Sequence, residues 1–413
     1  MDQSPYTEQL RLLPYIGKWL LLAGSVALLS GSASAFFLFA LDWVTATRVA
    51  HLQLIFLLPL AGFGISWLYL HFGQQVEPGN NLLLDEIHDP QKVIPARMVP
   101  LVLGGTLVSQ LFGASVGREG TAVQMGGALA DQITRALKLD REDRRIMLMA
   151  GISAGFASIF GTPLAGTIFG LEVLAIGRLR YDAILACLVA AVLADQVALG
   201  WGVHHTQYAI PFIPALSMRN LLVMVLAGAL FGLVGKVFAD CTHGFGAWMK
   251  GHIRYAPLRP VAGGLLVAAA LMLPGADRFS GLGIPSIVEA FKTPVAPYDF
   301  AAKLLFTVAS LGSGFKGGEV TPLFYIGATL GNALAQLFAM PLPLLAGLGF
   351  VAVFAGAANT PIASTLMAME LFGADIGVYA ALTCVMSYLF SGQTGIYRAQ
   401  RVEHAKPRPP GRK

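Results

Sequence analysis

One acid recurs in the same short motif. Gly117-Arg118-Glu119-Gly120-Thr121 returns 200 residues on (319 − 119) as Gly317-Gly318-Glu319-Val320-Thr321, each time inside a long apolar stretch. An ionised carboxylate in hydrocarbon costs about 2.5 kcal/mol or more even on insertion scales, so such a residue faces a partner, a cavity or a pathway. Glycine is dense around both acids, from Gly113 to Gly127 and from Gly312 to Gly331. That density predicts helices that stop and restart inside the protein, making backbone amides available as ligands. Such a site is electropositive without lysine and holds an anion that must also leave. Glu119, standing among those donors, can take the anion's place when ionised and vacate it when protonated. Burial disfavours the charged carboxylate while helix-end donors favour it, and residue order alone leaves the balance open.

Plainer roles exist for the same residues. Glu119 can pair with Arg118 or cap the following helix, and Glu319 has Lys316 three residues away. The glycines can serve close helix packing, as Gly113-xxx-Gly117 does. Glu172 and Glu370 also repeat, each nine residues after a proline (Pro163 and Pro361), near a predicted helix end, and read as structural or interfacial. His204 and His205 lie beside Trp201 and Tyr208 with no carboxylate or cysteine near them in sequence, which favours an interfacial loop over a metal site. Cys187, Cys241 and Cys384 are isolated in apolar sequence and read as packing residues. No nucleophile elbow, P-loop or zinc motif is present, so the sequence points away from an enzyme, a cofactor and an ATP-driven pump.

The elements that must hold these acids are membrane helices. Of 413 residues 55% are hydrophobic and 12% charged, too little polar surface to coat a soluble globule of this size. Trp19 to Leu41 and Leu52 to Phe72 are long enough to span a bilayer, and the first is too long for a cleaved signal peptide. Further apolar helices are predicted near 145–160, 182–200, 220–239, 260–273, 301–313, 343–356 and 376–391, several too short to cross a full bilayer unless tilted or half-spanning. The net charge of +5 suggests nucleic acid, yet six cations crowd the tail at Arg398, Arg401, Lys406, Arg408, Arg412 and Lys413. They mark a cytoplasmic side and leave no nucleic-acid role, while Pro407, Pro409 and Pro410 predict a disordered end.

The duplication reaches beyond the acids. Thr162-Pro-Leu-Ala165 with Thr167 and Glu172 matches Thr360-Pro-Ile-Ala363 with Thr365 and Glu370, and Gly79-Asn-Asn-Leu82 has a weaker echo in Gly281-Leu-Gly-Ile284. The expected organisation is an all-α integral membrane protein: a cytoplasmic N-terminus at 1–13, a first repeat at 14–205, a linker at 206–218, a second repeat at 219–397 and a basic cytoplasmic tail at 398–413.

In this order, Gly117-Arg-Glu-Gly-Thr121, Thr162-Pro-Leu-Ala-Gly166 and Gly317-Gly-Glu-Val-Thr-Pro322 resemble the CLC family of chloride channels and proton-coupled anion antiporters. The resemblance implies two inverted repeats of tilted, broken helices, a homodimer with one pathway per subunit, membrane lipid around it, and Glu119 as gate with Gly117, Arg118 and Gly120 beside it. Chloride-handling members carry Gly-Ser-Gly-Ile-Pro where this chain has Gly79-Asn-Asn-Leu-Leu83, and a second proton glutamate where it has Val173. Gly281-Leu-Gly-Ile-Pro285 copies that first motif but precedes the second-half motif, so the chloride site is not carried onto it. The departures are similar to the fluoride-exporting branch. That likeness implies fluoride and protons as the transported ions, exported across a bacterial inner membrane. It implies Asn80, and more weakly Asn81, at the serine's position. Glu319, Val320 and Thr321 would line the pathway, with Phe324 near the ion and Tyr397 as the pore tyrosine. A passive channel of the same fold and a non-transporting membrane scaffold remain as alternatives.

Overall fold

Sixteen α-helices occupy residues 12–407, the part of the chain described by the structure, a computed structural model. In the first half these are α1 (Leu12–Ala50), α2 (Leu58–Phe72), α3 (Asn80–His88), α4 (Met98–Leu111), α5 (Glu119–Leu137), α6 (Arg141–Phe160), α7 (Pro163–Glu172) and α8 (Ile184–Gly200). The second half repeats the sequence of lengths: α9 (Met218–His252), α10 (Leu258–Leu271), α11 (Ile284–Ala290), α12 (Asp299–Ser313), α13 (Val320–Phe338), α14 (Leu342–Ala358), α15 (Pro361–Phe372) and α16 (Gly377–Phe390). Among the described residues four segments are long and apolar enough to cross a membrane: Leu12–Ala50, Leu52–Phe72, Tyr181–Gly200 and Met218–His252. Their outer faces expose Leu21, Leu60 and Leu222 among others, as a lipid-facing surface requires.

Local sequence explains the breaks. Asp140 caps α6 by accepting the Asp143 N–H at 2.8 Å, and Gly161 closes it in the left-handed conformation at φ 72°. Proline follows Thr162 and Thr360 as the first residue of α7 and α15, where its missing N–H costs nothing. Inside the bundle, a Cβ at Gly126 would collide with the Gly151 carbonyl, and one at Gly327 with that of Gly349, so glycine lets α5 meet α6 and α13 meet α14 backbone to backbone.

The halves are related by reciprocal contacts. Glu172, ending α7, accepts the Ile362 and Ala363 amides at 3.0 and 2.8 Å; Glu370, on α15, accepts the Leu164 and Ala165 amides at 2.8 Å each. Each carboxylate thus caps the opposite half's helix, the pattern a two-fold axis between the halves produces. Both acids are structural, as their positions suggested. The third echo needs correction: Gly79 at φ 63° precedes α3 and Gly283 at φ 71° precedes α11, so the equivalent glycine is Gly283 rather than Gly281.

The tail also departs from expectation. Arg401–Val402 (β2) pairs in parallel with Ala175–Ile176 (β1), and Lys406 is buried, its ammonium donating to Asn359 Oδ1, the Tyr388 carbonyl and Ser391 Oγ. Gln400 binds the Val173 and Ala358 carbonyls at 3.1 Å each. Backbone pairing and a buried cation therefore order a segment whose composition reads as solvated chain. Arg408, Arg412 and Lys413 lie outside the described residues, as do residues 1–11 of the N-terminal segment. Lys18 pairs with Asp143 at the start of α6, Arg145 two residues on donates to the His88 carbonyl, and His88 and the Arg401 amide both meet the Leu174 carbonyl, which puts the start of α1 and the tail on one face of the molecule.

Candidate functional site

The first residues of three helices converge at the centre. In both halves the chain leaves a helix before the glycine-rich segment and restarts at the acid: Glu119 opens α5, and Glu319 immediately precedes α13. The two restart loops meet as an antiparallel bridge between Gly117 and Gly318. Asn80 opens α3 and brings its Nδ2 to 3.1 Å from the position a Cβ would take on Gly120. The far end of α3 is fixed by Arg144, whose guanidinium joins Glu86 at 3.0 Å and Asp131 at 2.6 Å.

Glu119 is 1% exposed and lies between the two restarting helices. Its Oε2 accepts the Thr321 amide at 3.0 Å and the Arg118 amide at 3.1 Å, while the Thr321 hydroxyl donates to Oε1. The carboxylate therefore stands where helix N-termini favour an anion. Arg118 Nε lies 3.6 Å from Oε1 without making a hydrogen bond, so the expected Arg118 pairing is the weaker contact beside the Thr321 bonds. Not all the amides anticipated from glycine are free: those of Gly117 and Gly318 are used on each other's carbonyls.

Glu319 is half-buried and has no ion pair among the described residues; Lys316 places its ammonium 4.1 Å from the Tyr69 ring centre instead of on Glu319. Val320 and Thr321 are buried in the first turn of α13. Asn80 Oδ1 is buried with no partner among the described residues, whereas Asn81 Oδ1 accepts the Ala399 amide at 2.9 Å and ties α3 to the tail. Phe324 stacks on Phe350 at 3.9 Å and meets Phe160 at 5.2 Å and Phe354 at 5.6 Å. Phe354 continues to Phe169 at 6.0 Å, and Phe169 to Tyr397 at 6.5 Å. Aromatic rings thus run from Tyr208, 5.3 Å from Phe350, to Tyr397.

A small cavity of about 20 Å³ beside Glu119 is lined by Arg118, His205, Tyr208, Thr321 and Phe324 among others. It shares Arg118, His205, Thr206 and Ile284 with a vestibule of about 650 Å³ that is open to the surface. The sequence assigned His205, beside Tyr208, to an interfacial loop, whereas the structure sets both on the cavity next to Glu119. They come from the irregular segment between α8 and α9, which carries no motif; only folding brings it over the acid. The same folding sets His205 Nε2 3.6 Å from Asp195 Oδ1, a carboxylate that sequence proximity did not reveal.

The family profile described as voltage gated chloride channel matches residues 61–392, most of this fold. The chain belongs to that family. Its members are membrane transport proteins, not enzymes. A relative from Pseudomonas syringae pv. tomato named chloride/fluoride channel protein is 62% identical over 98% of this chain and 91% of its own. A putative chloride channel protein ClcB-like from Ralstonia nicotianae is 29% identical over 82% of each chain. Among solved structures, a CLC-type fluoride/proton antiporter superposes with a TM-score of 0.91 at 34% identity, covering 97% of this chain and 100% of that one. A slow cyanobacterial Cl⁻/H⁺ antiporter matches at TM-score 0.80 and 20% identity over 92% and 96%, a likeness of fold alone. The CLC fold, with its two inverted repeats, is thus that of this chain.

Proposed function

We propose that this chain is a fluoride/proton antiporter that expels fluoride from the bacterial cytoplasm across the inner membrane, as a homodimer with one pathway in each subunit. The observation that carries the reading is the Glu119 carboxylate held by the Thr321 amide and hydroxyl at the meeting of α5 and α13, an acid standing in an anion's place. Ionised, Glu119 fills the site; protonated, it gives up the negative charge those donors favour, and a fluoride ion replaces it. Glu319, with no ion-pair partner among the described residues, is the second carboxyl at the same convergence and the proton carrier that Val173 does not supply. Fluoride is small and strongly hydrated, so it needs dense donors. Asn80, the Thr321 amide and hydroxyl that Glu119 vacates, and the ring edges around Phe324 offer them. Asn81 is engaged with the tail and contributes by fixing α3. The names of the Pseudomonas relative and of the fluoride/proton antiporter support fluoride as the ion.

The test is flux from proteoliposomes loaded with fluoride or chloride. A pH gradient drives fluoride uphill and chloride far less. Equal chloride flux removes the selectivity, and fluoride flux indifferent to the gradient selects a passive channel, the reading that Val173 favours.

A further inference from the structure

Two cations are buried on either side of Gly281, Arg48 on the wall of the vestibule and Lys303 behind it, and neither is paired with a carboxylate among the described residues. Arg48, in the last turn of α1, is 7% exposed, and its Nη1 is sealed from solvent without a hydrogen-bond partner among the described residues. Lys303, on α12, is 0% exposed and donates to the Phe279 and Gly281 carbonyls at 2.9 and 2.7 Å. Those carbonyls are the acceptors that the neighbouring guanidinium lacks. Arg48 lies against Gly281 so closely that a Cβ there would collide with it, and Gly281 holds a left-handed φ of 55°. Neither cation forms an ion pair among the described residues; Asp42 and Asp277 line the same vestibule but lie beyond ion-pair distance.

Buried charge without a counter-charge is strongly unfavourable, and Arg48 is one of the residues that line the vestibule. We propose that Arg48, backed by Lys303, binds a small monovalent anion of the halide class, forming a second anion station on the vestibule side of Glu119. The vestibule joins the Glu119 cavity through Arg118, His205, Thr206 and Ile284, so an ion released at Glu119 enters the field of this pair. Gly281 is the enabling residue, because any side chain there displaces the guanidinium. The station is an equilibrium binding site and stands apart from proton coupling at Glu119.

Crystals of the full chain soaked in sodium bromide test it. Wild type shows an anomalous peak at the Arg48 guanidinium, and R48M loses it. Calorimetric titration of the detergent-solubilised chain with sodium fluoride, exchanged against gluconate at constant ionic strength, shows a binding event that R48M weakens by about tenfold, as removal of a charge-assisted hydrogen bond gives. R48K recovers part of it, and G281A weakens it with Arg48 intact. In proteoliposomes R48M raises the half-saturating fluoride concentration on the vestibule face. A bromide map with no peak at Arg48 in wild type overturns the proposal without needing any variant to fold. An unchanged R48M isotherm overturns it too. Fluoride binding lost in R48M while flux ignores a pH gradient keeps this station and removes antiport instead.

Discussion

Gly117 and Gly318 exchange both backbone hydrogen bonds, N–H to carbonyl at 2.6 and 2.8 Å, and so join the two restart loops at the mouth of the site. A Cβ on Gly318 would come within 2.7 Å of the Gly120 nitrogen. G318A is expected to lose about 1–3 kcal/mol of stability through overpacking and to abolish transport, because Glu119 is adjacent to the displaced backbone. Thermal unfolding in detergent and fluoride efflux measure the two effects; normal efflux with an unchanged midpoint would refute the account.

E119Q keeps an oxygen for the Thr321 donors but can no longer exchange a proton. Fluoride flux through E119Q is expected to be insensitive to a pH gradient, while the unfolding temperature stays within a few degrees of wild type. Proteoliposomes with opposed gradients provide the measurement, and persistent uphill fluoride movement would contradict the gating role.

Phe324 fills the centre of the aromatic run. F324A is expected to lower stability by about 3–5 kcal/mol, the range for deleting a buried phenyl group, and F324L by less. Denaturant unfolding in mixed micelles reads this directly; equal losses for the two would show that the ring stack has no energetic role.

Glu172 and Glu370 each satisfy two first-turn amides of the other half. E172A and E370A are expected to cost about 1–3 kcal/mol each, through amides left unpaired in the interior, with the fluoride-to-chloride flux ratio unchanged. A shifted ratio would give these acids a place in the pathway that their bonds do not suggest.

His88 carries a pH dependence on the tail face. Burial holds its imidazole below the usual range, with the Leu174 carbonyl opposing. The fold therefore favours the neutral ring, whose contribution is complete above the unfolded value near 6.5 and is lost as pH falls through the lower folded value. Between pH 7.5 and 5.0 the unfolding temperature of wild type should fall more than that of H88Q. Parallel curves would assign acid sensitivity elsewhere.

The broken helices and paired acids are legible in the sequence because glycine density and a buried carboxylate both have strong local causes, repeated at nearly constant spacing. Glu119 and Glu319 open their helices for that reason. Partner choice is not legible: Glu172 reaches amides some 190 residues away, and nothing near Glu172 names Ile362. The Arg118 pairing and the Lys316 pairing were the local expectations, yet Thr321 and the Tyr69 ring hold those groups more closely. Backbone pairing is equally silent, which is why the ordered stretch around Val402 reads as solvated tail. The Gly281 echo misleads by two residues because matching letters does not fix which glycine must adopt a left-handed turn.

The mutual capping by Glu172 and Glu370 makes the two halves interdependent. Either half by itself would hold an acid with no amides to accept and a helix start with no acceptor, so neither is a finished folding unit until the other is in place.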